Sequence, residues 1–267
     1  MQDSSSLLAA YDDQLRSDAE TPTAIAVTRL GPLRLVSFAR GRGFVTYRDL
    51  GGADAADIAR LVEGAHRHFT GNPEFRIVEW KTRGHDRAPG LHDALVAHGF
   101  IPEEPESIMV GEVRSLVSDV ALPEGVTLRT IDSPDDVARM CAMQAEVFAD
   151  VESDAMTQAL LRRLALKDGM SLWIAEAGGE IVTSGRLEPV RGTAFAGIWG
   201  GATRAAWRGK GIYRALTSAR AQAALAAGKT LIHSDSTEFS RPILEAAGLV
   251  KVSTTTPYVW RRELMAS

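Results

Sequence analysis

An α/β protein built as two echoing halves is what this sequence predicts, on three observations. Short apolar runs of strand length alternate with amphipathic stretches of helical spacing along the chain. The segment Trp207-Arg208-Gly209-Lys210-Gly211-Ile212-Tyr213 sets two glycines and two basic residues where a strand ends and a helix begins. Residues 95–110 and 244–259 match at an offset of 149 residues: Leu95 with Leu244, Ala97 with Ala246, Gly99 with Gly248, Phe100 with Leu249, Ile101 with Val250 and Val110 with Val259. Both stretches read as strand, short helix, glycine, strand, the mark of a duplicated fold.

The elements follow in order. Leu7, Leu8, Tyr11 and Leu15 share one helical face. Residues 24–29 and 33–39 read as strands joined at Gly31-Pro32, with a third strand over 44–47. Ile58, Leu61, Val62 and Ala65 define a helix over 53–69. A strand over 75–80, a helix over 88–97 stopped by Gly99, and a strand over 108–110 complete the first half. The pattern weakens from Val113 and breaks at Pro123-Glu124-Gly125, so domains of 1–115 and 126–267 are expected, with 116–125 as linker.

The second half opens with a strand over 126–130. Ser133-Pro134-Asp135-Asp136 then combines a cap, a first-turn proline and acids against the helix dipole. A second helix is expected over 153–167. Strands over 171–176 and 180–188 turn at Gly178-Gly179. A strand over 193–203 leads into a helix over 210–227, with Ile212, Leu216, Ala219 and Ala223 on one face and Gly228 as its stop. A strand over 230–234, a short helix over 242–247 closed by Gly248, and a strand over 258–260 end the chain.

Composition excludes several classes. Of 267 residues, 45% are hydrophobic and 24% charged, as in a globular protein, and 267 residues suffice for two domains. A net charge of −4 gives no basic surplus for nucleic acid or an anionic membrane. Cys141 is the single cysteine, which excludes an intrachain disulfide and a cysteine-based zinc site; it reads as a small buried residue. The first 20 residues lack a basic start followed by an apolar core, and no apolar run reaches membrane-spanning length. A cytoplasmic protein is expected. His66 and His68 are two apart on a helix and do not face each other, and His85, His92 and His98 show no ligand spacing, so no metal is expected.

The glycine loop carries the chemistry. Glycine lets backbone approach a ligand without a Cβ in the way. A helix N-terminus offers unpaired N–H groups and the positive end of a dipole, a natural seat for phosphate. Gly209 and Gly211 with Arg208 and Lys210 therefore read as a cradle for a diphosphate-bearing cofactor.

From 126 to about 262, the order of strand, two helices, three strands, helix, strand, helix and strand, with Arg-Gly-Lys-Gly opening the third helix, resembles the GNAT superfamily of N-acetyltransferases. That family's motif maps onto Ala206 through Gly211: both glycines match, and Ala206 stands where the family has Gln or Arg. The resemblance implies a twisted mixed β-sheet flanked by helices in each of two tandem domains. It implies that Arg208, Gly209, Lys210, Gly211, Ile212 and Tyr213 hold the diphosphate of acetyl-CoA, and that Gly201, Ala202 and Thr203 pair by backbone with the pantetheine arm. The first half resembles a degenerate domain. Arg40-Gly41-Arg42-Gly43 imitates the motif but leads into a strand, and Gly51-Gly52 has no basic neighbours on its helix side.

Acetyl transfer to an amine requires a held and polarised thioester, a base for the amine proton and an acid for the departing thiolate. The family's usual Glu is absent from 193–203. His233 on the next strand is a candidate base, because an unperturbed imidazole pKa of about 6.5 suits neutral pH. Glu188 and Asp235 lie at neighbouring strand ends. The family's usual acidic tyrosine maps to Leu244 and its asparagine to Thr237, leaving Tyr258 as a candidate acid. Asp150, Glu152 and Asp154 lie between the two helices that wall the acceptor site in the family, where they would attract a cationic amine; a solvated loop is the alternative. Trp173, Trp199 and Trp260 read as core. The expected function is acetyl transfer from acetyl-CoA to a primary amine, a small molecule, with a protein N-terminus or lysine as the alternative acceptor. The N-terminal half would shape the acceptor site or mediate dimerisation. The alternatives are a non-catalytic acyl-CoA-binding or regulatory module and a nucleotide-binding protein of another kind.

Overall fold

A computed structural model describes residues 3–149 and 153–263; Asp150 and Glu152 of the acidic cluster lie outside them. The elements in chain order are α1 (Ser4–Leu15), β1 (Ala26–Leu30), β2 (Leu33–Phe38), β3 (Arg42–Thr46), α2 (Ala55–Thr70), β4 (Ile77–Arg83), α3 (Leu91–Ala97), β5 (Ile101–Pro102) and β6 (Glu106–Glu112). There follow β7 (Val126–Ile131), α4 (Pro134–Phe148), α5 (Ser153–Ala165), β8 (Ser171–Ala177), β9 (Glu180–Pro189), β10 (Phe195–Thr203), α6 (Ile212–Ala226), β11 (Leu231–Ser236), α7 (Arg241–Ala246) and β12 (Val250–Arg261).

The local signals act where the sequence places them. Asp3 accepts from Ser6 N to start α1, which buries Leu7, Tyr11 and Leu15. Ser133 caps α4 through the Asp136 N–H, with Pro134 in the first turn. The two glycine stops are the same structure twice. Gly99 (φ 78°) and Gly248 (φ 94°) both take the left-handed region. After α3, Phe100 N donates to Leu95 O at 3.1 Å; after α7, Leu249 N donates to Leu244 O at 3.0 Å. Leu95 and Leu244 are both buried.

Contacts divide the described residues into two units, 3–108 with Asp235–Arg241 and 251–263, and 109–149 and 153–234 with Pro242–Val250. In the first unit the strand order is β1-β2-β3-β4-β12, with β5 also on β12. β3 and β4 are parallel and the other pairs antiparallel. Ile58, Val62, Ala65 and Phe69 of α2 and Leu91 and Leu95 of α3 bury the sheet face that carries Val45, Val78 and Trp80.

In the second unit the order is β11-β10-β9-β8-β7, with β10 and β11 parallel. Alternation splits the sheet's side chains. Leu187, Ala196, Ile198 and Ile232 pack with Ala221 and Ala224 of α6 and Leu244 of α7. Leu172 and Ile174 pack on the other face with Val137, Met140, Cys141 and Met143 of α4 and Leu160 of α5.

Three expectations differ from this arrangement. The last strand spans Val250–Arg261 rather than 258–260. Ser253-Thr254-Thr255-Thr256 offers no apolar residue to mark a strand, and pairing with β4, from Thr255 opposite Arg83 to Arg261 opposite Ile77, holds the chain extended from Thr255 on. For the same reason the units are not consecutive: the C-terminal strand completes the first unit's sheet. The expected linker is packed as well. Leu116 is buried beside α6 residues, and Ser118 exchanges hydrogen bonds with the Ser218 hydroxyl at 3.0 and 2.8 Å.

Candidate functional site

In the second unit β10 and β11 pair only from Phe195–Leu231 to Gly197–His233. β10 continues to Thr203 and β11 to Ser236, so their facing edges part beyond Gly197. Ser234 donates its hydroxyl to Ile198 O at 2.9 Å where the ladder ends. Along its other edge β10 is bulged against β9. Arg186 lies opposite Trp199 and Ser184 opposite Ala202, leaving Gly200-Gly201 across from Gly185 alone.

Both faces hold the bulge. Gly200 has φ 60°, and its carbonyl accepts from Gln144 Nε2 of α4 at 2.8 Å; the same nitrogen donates to Ser184 Oγ at 3.0 Å. On the α6 face, a Cβ on Gly201 would stand 2.6 Å from the Tyr213 ring, so only glycine fits beneath that ring.

Beyond Thr203 the chain turns through Ala205–Trp207 into the glycine loop. Gly209 (φ 73°) and Gly211 (φ 79°) are both left-handed, and Gly211 is the N-cap of α6. Nothing lies within 4 Å of where a Cβ on Gly209 would be, so the backbone there is open to a ligand. Arg208, Lys210 and Arg214 are exposed. Arg208 Nε donates to Thr203 O at 3.1 Å, and Lys210 Nζ lies 4.6 Å from the centre of the Trp207 ring. Left-handed glycines, a helix N-terminus and exposed cations fit a diphosphate; the first turn of α6 holds no acid to repel it.

The equivalent place in the first unit does not fit. α2 starts at Asp54, whose carboxylate accepts from Asp57 N, so acids occupy that helix start. β3 and β4 pair as far as Val45–Trp80. Past that point Thr46 accepts from Arg83 at 3.0 Å and donates to Glu20 at 2.7 Å, and Arg16 donates twice to Tyr47 O. The N-terminal segment fills the opening.

The sequence-derived catalytic candidates separate. Glu188 and His233 both lie opposite Gly197, on β9 and β11, and so share one sheet face with a side-chain-free residue between them. Trp199, two residues on from Gly197, lays its indole across that glycine and meets the His233 ring edge-on at 5.1 Å. Phe195 meets the same imidazole at 5.8 Å. Trp199 was expected as core; it is half-buried and lines this row. The signal was the Gly-x-Trp spacing, which puts a large ring over an empty position on one strand face.

Glu188 is engaged: Arg186 pairs with one carboxylate oxygen, and Arg163 of α5 lies 3.7 Å from the other. Asp235 takes the Lys81 ammonium at 2.6 Å within the first unit. Tyr258 also stands in the first unit, packed in its core, with its hydroxyl 2.8 Å from His92 Nδ1. Glu188, Asp235 and Tyr258 are each engaged by these partners. Replacing Tyr258 with Phe is expected to cost about 0.5–1.5 kcal/mol in urea unfolding, one hydrogen bond, and to leave turnover unchanged; a large fall in kcat would restore it as the acid.

Among the described residues no group of three or more His, Cys, Asp or Glu could hold a metal ion, and no helix is long and apolar enough to cross a membrane.

No family model matches the chain, and no curated protein matches it. Solved structures do. A GCN5-related N-acetyltransferase from Kribbella flavida aligns over 99% of this chain and 98% of its own, with TM-score 0.69 and 16% identity. A tandem GNAT protein from the clavulanic acid biosynthesis pathway aligns over 98% and 97%, with TM-score 0.61 and 15% identity. A GCN5-related N-acetyltransferase from Sphaerobacter thermophilus aligns over 87% and 77%, with TM-score 0.62 and 14% identity. The chain has their fold.

Proposed function

We propose that this chain, with the fold of the GCN5-related N-acetyltransferases, transfers an acetyl group from acetyl-CoA to a primary amine on a small molecule. One observation carries the reading: the β10 edge that parts from β11 beyond Gly197, in the strand bulged at Gly200-Gly201, runs into a left-handed glycine loop at a helix N-terminus flanked by exposed Arg208, Lys210 and Arg214. That sequence of groups suits a long ligand with an amide-bearing arm and a diphosphate. Gly201, Ala202 and Thr203 would take the arm, and Arg208 through Tyr213 the diphosphate.

His233 is the group best suited to move the proton. The amine nitrogen attacks the thioester carbon, the C–N bond forms and the C–S bond breaks. A neutral imidazole takes the proton the amine sheds, and the imidazolium returns it to the departing thiolate sulfur. One residue thus serves as base and acid, and neither Glu188 nor Tyr258 is needed. Trp199 and Phe195 meet the ring edge-on.

The test supplies labelled acetyl-CoA with a panel of small amines. Turnover is expected, together with CoA-dependent thermal stabilisation. His233→Gln is expected to lower kcat by about 10²–10⁴-fold, the worth of a general base, with CoA stabilisation intact. A second reading, an acyl-CoA-binding module without chemistry, is favoured by the ion pairs that engage Glu188. It predicts stabilisation by CoA, no turnover on any amine and no effect of the His233 change.

A further inference from the structure

Arg220 is an anomaly in α6. It lies on the buried face of the helix, 0% exposed, among Leu216, Ala221 and Ala224. Its partners are neutral: Nη1 donates to Arg186 O at 3.2 Å, Nη2 donates to Thr217 Oγ1 at 3.1 Å, and the guanidinium carbon lies 5.8 Å from the centre of the Tyr213 ring. Its Nε is buried with no hydrogen-bond partner. Burial pushes its pKa down, the Tyr213 hydroxyl acts the other way, and no carboxylate contributes. A buried cation without an acid is a burden on stability, and an apolar side chain of similar size would be tolerated better.

The surroundings are built to accept it. A Cβ on Gly185 would stand 2.6 Å from Nη1 and 2.9 Å from the guanidinium carbon, so the space beside Gly185 exists for this side chain. Gly185 is the β9 residue across from the Gly200-Gly201 bulge. Tyr213, seven residues earlier on the same side of α6, fills the matching space over Gly201. Two glycines on adjacent strands thus receive two side chains of one helix, and those side chains touch each other.

We infer that Arg220 is a positioning residue for acetyl-CoA: through Tyr213 and the Arg186 carbonyl it holds the β10 bulge in the shape that receives the cofactor's amide-bearing arm. The inference rests on the function proposed above and adds a residue to it. Arg220 does not reach the ligand. It sets the register of β9 against the bulge and the height of the Tyr213 ring over Gly201, and so the depth at which the arm lies.

Two substitutions test this. Arg220→Met keeps the volume and removes the cation. Gly185→Ala keeps the cation and displaces it. Both are compared with the native chain by urea unfolding without ligand, by CoA-induced shift in melting temperature, and by KM for acetyl-CoA against kcat. Arg220→Met is expected to be as stable as the native protein or more so, yet to bind CoA more weakly and to lose roughly 100-fold in kcat/KM for acetyl-CoA, the scale of loss when a reacting group is misplaced by about 1 Å. Gly185→Ala is expected to show the same loss of CoA affinity. Arg220→Lys, too short to span both bonds, should recover little. Native CoA affinity in Arg220→Met and Gly185→Ala overturns the inference, as does an affinity loss no larger than the accompanying loss of stability. Absence of any CoA response in the native chain overturns both the inference and the function on which it rests; a native response without a response to the substitutions overturns the inference alone.

Discussion

Replacing Gly209 with valine is expected to abolish stabilisation by CoA while leaving a folded protein. At a CoA concentration 100 times its dissociation constant the native chain gains about 2.7 kcal/mol; the variant gains nothing. Two effects combine in the substituted loop. An L-residue at φ 73° carries about 1–2 kcal/mol of backbone strain. The new side chain projects into space that is open within 4 Å, where the diphosphate is to lie. Strain alone lowers the melting temperature of the free protein and leaves the ligand shift intact. The blocked approach removes the shift. Gly211→Val is expected to remove it too, with a larger cost to folding, because Gly211 caps α6 and its Cβ would meet Val120 at 3.4 Å. A native CoA shift in Gly209→Val would displace the cofactor from this loop.

The largest stability effect is expected in the other unit. Glu20 pairs with Arg83 and lies 3.7 Å from Lys81, which in turn holds Asp235 at 2.6 Å. The Glu20 side chain is 13% exposed and the Arg83 side chain 0%. Glu20→Ala leaves Arg83 buried beside a hydroxyl, and breaking a buried pair from one side costs about 3–5 kcal/mol. Urea unfolding is the measurement, and a loss below about 1 kcal/mol, the scale of a surface pair, would show the pair to be unimportant.

The same group gives a pH dependence. Burial works to raise the Glu20 pKa, but Arg83 and Lys81 outweigh it and hold the carboxyl below its ordinary value. In the acid range the unfolded chain therefore binds the proton first, and stability rises with pH. The contribution is complete above the ordinary carboxylate range and is lost as pH falls through the lowered value. Glu20→Gln should flatten the acid limb of the stability profile.

Much of this protein was legible in local sequence. The helix starts at Ser133-Pro134, the stops at Gly99 and Gly248 and the glycine loop all rest on signals a few residues long, with mechanisms that act within one turn of chain. The repeat of 149 residues was visible because equivalent helix ends demand the same glycine and the same buried leucine. Arg220 also left a trace: it stands four residues after Leu216, on the apolar side of an alanine-rich helix. An arginine there conflicts with the pattern, and only Gly185, 35 positions away, explains how it is housed.

By itself the sequence determined the helix starts and stops, the alternation of strand and helix and the place of the loop, because propensity, capping and left-handed glycine are properties of neighbouring residues. The tertiary structure decided what the side chains on those elements meet. Pairing with β4 drew the last strand into the first unit and set the Tyr258 hydroxyl against His92. Strand register set Glu188 and His233 on one face about Gly197, and ion pairs then engaged the first of them. Register and long-range pairing depend on residues far apart in the chain, and no local pattern encodes them.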